Sequence, residues 1–212
     1  MGERHPRPER GLLSRPGAVE VGAYRAHVDA EIEAWLAGGV SPAEVSLVEL
    51  GLNHEQQHQE LLLMDIKHVF GMSPLRPAYQ PATVAAAPSR EVRWLAHDGG
   101  LVEVGHHGES FSFDNEQPRH SAHLAPFALA DRPVTCGEWM AFIDDGGYSR
   151  ADLWLSDGWA TVQASAWEAP LYWDRGDGSW VVHTLHGVRP VDPNQPVCHV
   201  SHYEADAYAR WA

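Results

Sequence analysis

A single long helix is predicted between Pro42 and Gly71, where the sequence contains no further proline and one internal glycine, Gly51. Ser41 and Glu44 have the spacing of a capping box around the first helical position, and Gly71 marks the end. A helix of about 29 residues is roughly 43 Å long. A helix of this kind gains most of its stability from neighbouring helices, which favours a bundle for this part of the chain.

A pair of histidines lies inside this helix. His54 and His58 are four residues apart, so their imidazole rings leave one face about one turn apart and could chelate a divalent metal ion. Glu60 lies off that face and suits a role in supporting the ligands rather than binding the metal. The same residues match the HExxH pattern of zinc proteases, but the polar Gln56 and Gln57 and the lack of an obvious third zinc ligand argue against that class. Two solvent-facing histidines without a metal are the plainer alternative.

The charge and cysteine content exclude several classes of protein. The chain has 29 acidic and 15 basic residues, a balance unsuited to non-specific binding of nucleic acid or of anionic membranes. No apolar run approaches the about 20 residues needed to span a bilayer, and the N-terminus lacks the apolar core of a signal peptide. The only cysteines, Cys136 and Cys198, give no disulfide framework. We therefore expect a cytoplasmic protein without nucleic-acid or membrane partners.

A second helix is predicted over residues 18–36, where apolar residues recur every three or four positions before Gly38. A short turn joins it to the long helix, so the two should pack as an antiparallel pair. Two helices cannot enclose a buried metal site, and the last helical pattern runs to Ala212 without a terminator. Both observations predict that the chain is a fragment of a longer protein.

The remainder of the sequence predicts a different kind of domain. Residues 74–89 are rich in proline and alanine and read as a linker between a domain at 1–73 and another at 90–212. The second domain carries short apolar runs broken by glycine and aspartate, which are typical of short strands. The predicted fold class is α+β, a partial helical bundle followed by a domain with much irregular structure. The elements predicted in the second domain are strands at 92–94, 101–104, 111–113 and 123–129, a hairpin at 172–182, and helices capped by Thr135 and Ser201.

The helical half resembles a known family. Residues 54–61, followed by 65–68, resemble the HxxxHxE iron-binding helix of DinB-like domains in ergothioneine-pathway sulfoxide synthases. The basic segment 4–16 and the linker start at 74–79 fit the same family. The resemblance implies that residues 1–73 are a DinB-like domain whose N-terminal part is missing.

The second half resembles the formylglycine-generating-enzyme, or sulfatase-modifying-factor, fold, a C-type-lectin-like module. The similarity lies in residues 114–120, 133–135 and 196–201. Together the two resemblances cover essentially the whole chain. They imply that residues 90–212 are a formylglycine-generating-enzyme-like domain lacking its C-terminal part.

The family resemblance implies a non-haem iron(II) enzyme. Such an enzyme uses O2 to join the thiol sulfur of γ-glutamylcysteine, or of cysteine, to the imidazole C2 of hercynine, forming a sulfoxide. His54 and His58 would be two of three iron ligands, and Gln57 would contact hercynine. Arg7 and Arg10 would hold the carboxylates of the thiol substrate.

Several family residues have no counterpart in the chain. The third histidine ligand lies upstream in the family and His27, the nearest candidate, does not match the motif. The resemblance implies that the family's catalytic tyrosine would lie beyond Ala212, so no catalytic residue is assigned and the chain alone is expected to be inactive. Cys136 and Cys198 do not match the copper-binding pair of formylglycine-generating enzymes. The alternatives that remain are an ovothiol-type 5-histidylcysteine sulfoxide synthase, a non-catalytic binding module and, least favoured, a zinc hydrolase.

Overall fold

The computed structural model describes residues 6, 8–9 and 15–212. The chain divides into two units, residues 1–55 and 56–212, with the boundary inside the second helix. Helices and small antiparallel sheets occur together, which confirms the predicted α+β class. In chain order the elements are α1 (Ala18–Ala37), α2 (Pro42–Met72), β1 (Trp94–His97), β2 (Gly100–Val104), β3 (His120–Leu124), β4 (Phe127–Ala130), α3 (Cys136–Asp144), α4 (Ser156–Ser165), β5 (Trp173–Arg175), β6 (Trp180–Thr184), β7 (Gly187–Pro190) and α5 (His202–Trp211).

The start of α2 confirms the predicted capping box. The backbone N–H of Ser41 donates to Oε2 of Glu44 at 2.7 Å, and the N–H of Glu44 points back to the Ser41 hydroxyl at 3.4 Å. These bonds lower the pKa of Glu44. Because the cap satisfies backbone donors at the first turn, the helix begins where the local sequence predicts.

The apolar residues of α1 and α2 are not fully buried. Neither helix contains a buried residue, and Tyr24, Ile32 and Leu47 are all exposed. The physical reason is geometric, since complete burial of a side chain needs neighbours on several sides and bundles supply them from four helices. None of the described helices has both the length and the apolar character required to cross a membrane.

Two separate two-stranded ladders follow the linker. Strand β1 pairs antiparallel with β4, with Trp94 opposite Ala130, and β2 pairs antiparallel with β3, with Gly100 opposite Leu124. The single strand predicted at 123–129 is therefore wrong, because that stretch forms parts of two strands with different partners. Pro126 lies in the break, where its missing N–H would leave a gap in a ladder.

The strand predicted at 111–113 is also absent. Phe111 and Phe113 precede a single 3-10 turn at Asp114–Glu116, and their rings meet edge to face with centroids 4.8 Å apart. The alternating aromatics therefore reflect a local ring contact rather than two faces of a strand.

The hairpin predicted at 172–182 is confirmed as β5 and β6, and the sequence did not predict its third strand, β7. In this meander Trp173 lies opposite Val182, and His183 lies opposite Val188. Strand β7 begins with Gly187 at φ +92°, a backbone conformation that glycine adopts without strain. Because β7 starts with glycine and ends with proline, its local sequence resembles a turn.

An aromatic core joins the last three helices. Both predicted caps are confirmed, Thr135 with Glu138 at α3 and Ser201 with Glu204 at α5. Helix α4 was not predicted; a Cβ on its Gly158 would lie 2.7 Å from Cβ of Tyr203, so a glycine is needed where the chain passes α5. The buried core consists of Trp139, Phe142, Tyr148, Leu153, Trp154, Val162 and Ala207.

Candidate functional site

The predicted metal ligands lie in the middle of α2. His54 and His58 are four helical residues apart, and both are exposed, as are Gln57 and Glu60. Imidazole nitrogens suit iron(II), so the pair fits as two donors of such a site. Among the described residues no group of three or more His, Cys, Asp or Glu side chains is placed to hold a metal ion. The iron site thus stays a prediction, and its two predicted ligands lie on one helix.

The remaining candidate residues are Arg7, Arg10 and His27. Arg7 and Arg10 lie outside the described residues, so their predicted role in binding carboxylates stays open. His27 lies in α1 on an exposed face that it shares with Tyr24 and Glu31. It joins no metal-holding group within the described part of the chain.

A second constellation lies at the C-terminal end of α2, within residues 56–212. The Nζ atom of Lys67 contacts Nε2 of His199 and lies 4.7 Å from the centroid of the Tyr172 ring. On the next residue, Nδ1 of His68 lies 3.1 Å from the Tyr172 hydroxyl. These contacts attach the end of α2 to the segments on either side of the β5–β7 meander.

Tyr172 and His199, the residues that the end of α2 contacts, have an unusual backbone conformation. Tyr172 has φ +73° and His199 has φ +61°, the left-handed region that non-glycine residues rarely adopt. Their rings pack edge to face with centroids 5.0 Å apart, and the N–H of Leu171 donates to the carbonyl of His199 at 3.2 Å. Strained residues of this kind cluster at functional sites, so the pair marks a candidate site.

A buried histidine lies beneath this contact. His183 in β6 is 1% exposed, and neither of its ring nitrogens has a hydrogen-bond partner within the described structure. Its Cδ2 atom lies close to Gly71, where an added Cβ would approach it to 3.1 Å. Burial lowers the pKa of His183, and the positive charges of Lys67 and Arg76 lower it further. The imidazole is consequently held neutral at physiological pH.

The same contact borders a groove of about 660 Å³. Its walls include Tyr172 and His199, so the groove opens beside the partners of Lys67. Arg76 and Asp174 both line the groove and form an ion pair with each other. The aromatic part of the lining consists of Trp167, Tyr172, Trp173 and Trp180.

Both cysteines lie near one backbone carbonyl. The thiols of Cys136 and Cys198 are 3.7 and 3.6 Å from the oxygen of Pro196. Burial raises the pKa of Cys136 to about 11, so its thiol stays protonated at neutral pH. Because metal ions bind the thiolate, this side chain is poorly suited to a copper site.

Sequence reasoning missed the constellation at the end of α2. In the sequence Lys67 and His68 lie in the stretch that resembles DinB-like domains, and His199 lies in a stretch that resembles the second domain's family, and neither resemblance implies a contact between them. The available signal was the pair of polar side chains at the end of an otherwise apolar helical turn. Their partners lie 132 and 104 residues away along the chain, a separation that local patterns do not report.

Comparisons with known proteins extend over almost the whole chain. It is 33% identical over 210 residues to a hercynine oxygenase of Mycobacterium tuberculosis, which covers 98% of this chain and 48% of that protein. It is 30% identical over 214 residues to a hercynine oxygenase of Mycolicibacterium thermoresistibile, covering 98% of this chain and 46% of that protein. It is 36% identical over 166 residues to a hercynine oxygenase of Mycolicibacterium smegmatis, covering 77% of this chain and 37% of that protein. The chain thus spans about half the length, or less, of these curated relatives.

A family model matches the second part of the chain. Residues 81–212 match the sulfatase-modifying factor enzyme 1-like domain, in agreement with the resemblance inferred from the sequence. This stretch contains β1 to α5 and the aromatic core, and it makes up more than half of the chain. The chain therefore belongs to the family of proteins with a sulfatase-modifying factor enzyme 1-like domain.

Proposed function

We propose that the chain is the iron-binding part of a hercynine oxygenase that acts in ergothioneine biosynthesis. The observation that carries the proposal is the extent of the matches. Relatives named hercynine oxygenase align with 98% of the chain, whereas a formylglycine-generating enzyme of Streptomyces coelicolor aligns with 60%. The longer matches take in α2 and its histidines, which lie outside the region of the family model.

The proposed reaction joins a thiol to an imidazole. The sulfur of γ-glutamylcysteine loses its hydrogen, C2 of hercynine loses its hydrogen, and a C–S bond forms. One atom of O2 becomes the sulfoxide oxygen and the other leaves as water with the two hydrogens, so the equation balances. Iron(II), when bound, supplies the redox centre that this use of O2 requires. Hercynine, γ-glutamylcysteine and O2 are thus the proposed small-molecule partners.

Each predicted site residue has a task in this reaction. His54 and His58, neutral and aligned along α2, would hold the iron(II) ion and leave other positions open. Gln57 would donate or accept a hydrogen bond at the histidine-derived substrate, and Glu60 would support the ligands from beside them. The guanidinium groups of Arg7 and Arg10 would bind the carboxylates of γ-glutamylcysteine. We propose a cytoplasmic location because both cysteines are free thiols, as expected in a reducing compartment.

Iron binding tests the proposal directly. Anaerobic titration of the chain with iron(II) is expected to show binding that His58→Ala weakens at least about tenfold, because one of two imidazole donors is lost. His107→Ala is a matched control, since this histidine is exposed and lies far from α2 in sequence. Equal iron affinity in the wild type and in His58→Ala would contradict the assignment.

A product assay tests the reaction. Because the chain alone is expected to be inactive, a protein in which it is extended at both ends to the length of its relatives is incubated with iron(II), hercynine, γ-glutamylcysteine and isotopically labelled O2, and the product is analysed by mass spectrometry. The sulfoxide should contain one labelled oxygen and should disappear in the His54→Ala and His58→Ala variants. The same product at the same rate from a variant that lacks both histidines would overturn the proposal.

A further inference from the structure

Lys67 is the only lysine in the sequence. It is half-buried, and no carboxylate lies within ion-pair distance of it in the part of the chain that the structure describes. An ammonium group is strongly hydrated, so a half-buried lysine without a counter-charge has a reason to lose its proton. This feature takes no part in the proposed iron chemistry.

The environment of the Lys67 amine combines a base and an aromatic wall. Its Nζ contacts Nε2 of His199 and lies 4.7 Å from the centroid of the Tyr172 ring. A neutral imidazole with its proton on Nδ1 presents Nε2 as an acceptor, so His199 can take a proton from the amine. Burial lowers the pKa of Lys67, and burial together with the charge of Lys67 lowers the pKa of His199. Both shifts favour the neutral forms that a nucleophile and its base require.

The backbone conformation of the two residues that contact Lys67 indicates a functional role, and it does so independently of the lowered pKa values. Tyr172 and His199 both adopt left-handed φ angles, and their rings pack edge to face. Both residues also line the groove of about 660 Å³, whose other walls include the indoles of Trp167 and Trp173. The groove is large enough for a small molecule and presents aromatic surface to it.

We propose that Lys67 is an acyl-acceptor site, an amine that takes an acyl group from an activated ester or thioester with an apolar or aromatic body bound in the adjacent groove. The Nζ lone pair attacks the carbonyl carbon and an N–C bond forms. The carbonyl carbon then loses its bond to the ester oxygen or thioester sulfur, which leaves with the bonding electron pair. His199 Nε2 takes the proton released by the amine and delivers it to the departing oxygen or sulfur. The products are an amide on Lys67 and a free alcohol or thiol, and no oxidant or reductant is needed.

The test uses the full chain and 4-nitrophenyl acetate as the probe. Because the chain has one lysine, acetylation of the Lys67 peptide, resolved from the N-terminal peptide by mass spectrometry, reports this site alone. Near neutral pH we expect the rate to exceed that of Nα-acetyl-lysine amide in the same solution by at least about tenfold, as base-assisted nucleophiles do. A rate no greater than that of the free amine would overturn the proposal.

Variants separate the role of His199 from general exposure of the amine. His199→Gln removes the base and should bring the acetylation rate of Lys67 close to that of the reference amine. His123→Gln, at an exposed histidine in β3, is the matched control and should leave the rate unchanged. An unchanged rate in His199→Gln would overturn the proposed mechanism. The wild-type comparison needs no variant and stands even where a substitution impairs folding.

Discussion

The hydroxyl group of Tyr148 donates a 2.6 Å hydrogen bond to Oε1 of Glu204, inside the aromatic core. The other carboxylate oxygen of Glu204 accepts the backbone N–H of Ser201 at 2.6 Å, which caps α5. Tyr148 is 6% exposed and Glu204 is 4% exposed. Burial, followed by the negative charge of Glu204, raises the pKa of Tyr148 well above its ordinary range, so the phenol stays a donor. One buried carboxylate therefore both caps a helix and ties it to the core.

Replacing Tyr148 with phenylalanine should destabilise the protein. The change leaves Oε1 of Glu204 buried without its donor, and hydrogen bonds to charged groups contribute about 1.5–3 kcal/mol. We expect the free energy of unfolding, measured by urea denaturation, to fall by about 2–3 kcal/mol. Tyr79→Phe, at an exposed tyrosine, is the control and should change it by less than about 0.5 kcal/mol. Equal losses in the two variants would contradict this role of the hydroxyl.

Glu138 should contribute to stability at mildly acidic pH. Arg132 donates two 2.8 Å hydrogen bonds to its carboxylate, and with the N–H of Thr135 they lower its pKa to about 2 from 4.5. Because the folded-state pKa is lowered, the contribution is complete above pH 4.5 and disappears as the pH falls towards about 2. Urea midpoints measured across this window should fall less steeply for Glu138→Gln than for the wild type. The difference should be small, because water screens a partly exposed pair.

The control for this measurement is Glu109→Gln, which changes an exposed carboxylate. Its urea midpoints should keep the wild-type slope over the same range. A Glu138→Gln variant with the wild-type slope would show that the Arg132 pair does not depend on ionisation of the carboxylate.

His183 should make the stability depend on pH near neutrality. Its folded-state pKa lies below the ordinary value of 6.5, because burial and the charges of Lys67 and Arg76 oppose protonation. Below pH 6.5 the unfolded chain binds a proton that the folded chain resists, so stability decreases as the pH falls through this range. His183→Leu removes this effect and should flatten the profile of the free energy of unfolding between neutral and mildly acidic pH. At neutral pH the substitution should lower the free energy of unfolding only slightly, because the imidazole of His183 makes no hydrogen bond within the described structure.

Val182→Leu provides the comparison for His183→Leu. It changes the neighbouring position of β6 without altering a titratable group, so its pH profile should run parallel to that of the wild type. If His183→Leu retained the full wild-type slope, the pH dependence would have to arise elsewhere.

Gly147 should not tolerate even one methyl group. A Cβ at this position would lie 2.2 Å from Cε2 of Phe142, whose ring is completely buried. Overpacking of this kind typically costs about 1–3 kcal/mol and sometimes more, so we expect Gly147→Ala to lower the free energy of unfolding by about 3 kcal/mol or more. Gly51→Ala is the opposite case, because its Cβ would meet open space in the interior of α2. That variant should be neutral or slightly stabilising, and a large loss there would contradict the comparison.

The sequence by itself determined the parts of the structure that depend on neighbouring residues. Three capping residues, Ser41, Thr135 and Ser201, are each followed by a glutamate three positions later. Each of these three caps forms as predicted. The spacing of His54 and His58 likewise predicts their shared helix face, because helical geometry fixes it within one turn. Such interactions span three or four residues and need no other part of the chain.

The tertiary structure decided everything that joins distant segments. The run at 123–129 looked like one strand, but its pairing with two different partners divided it. At Gly158, α4 passes so close to α5 that an added Cβ would lie 2.7 Å from Cβ of Tyr203. The contact of Lys67 with His199 joins residues 132 positions apart, and the left-handed backbone of His199 is maintained by its surroundings. A contact of this kind is formed by the packing of the whole domain, so the local pattern at either end does not specify it.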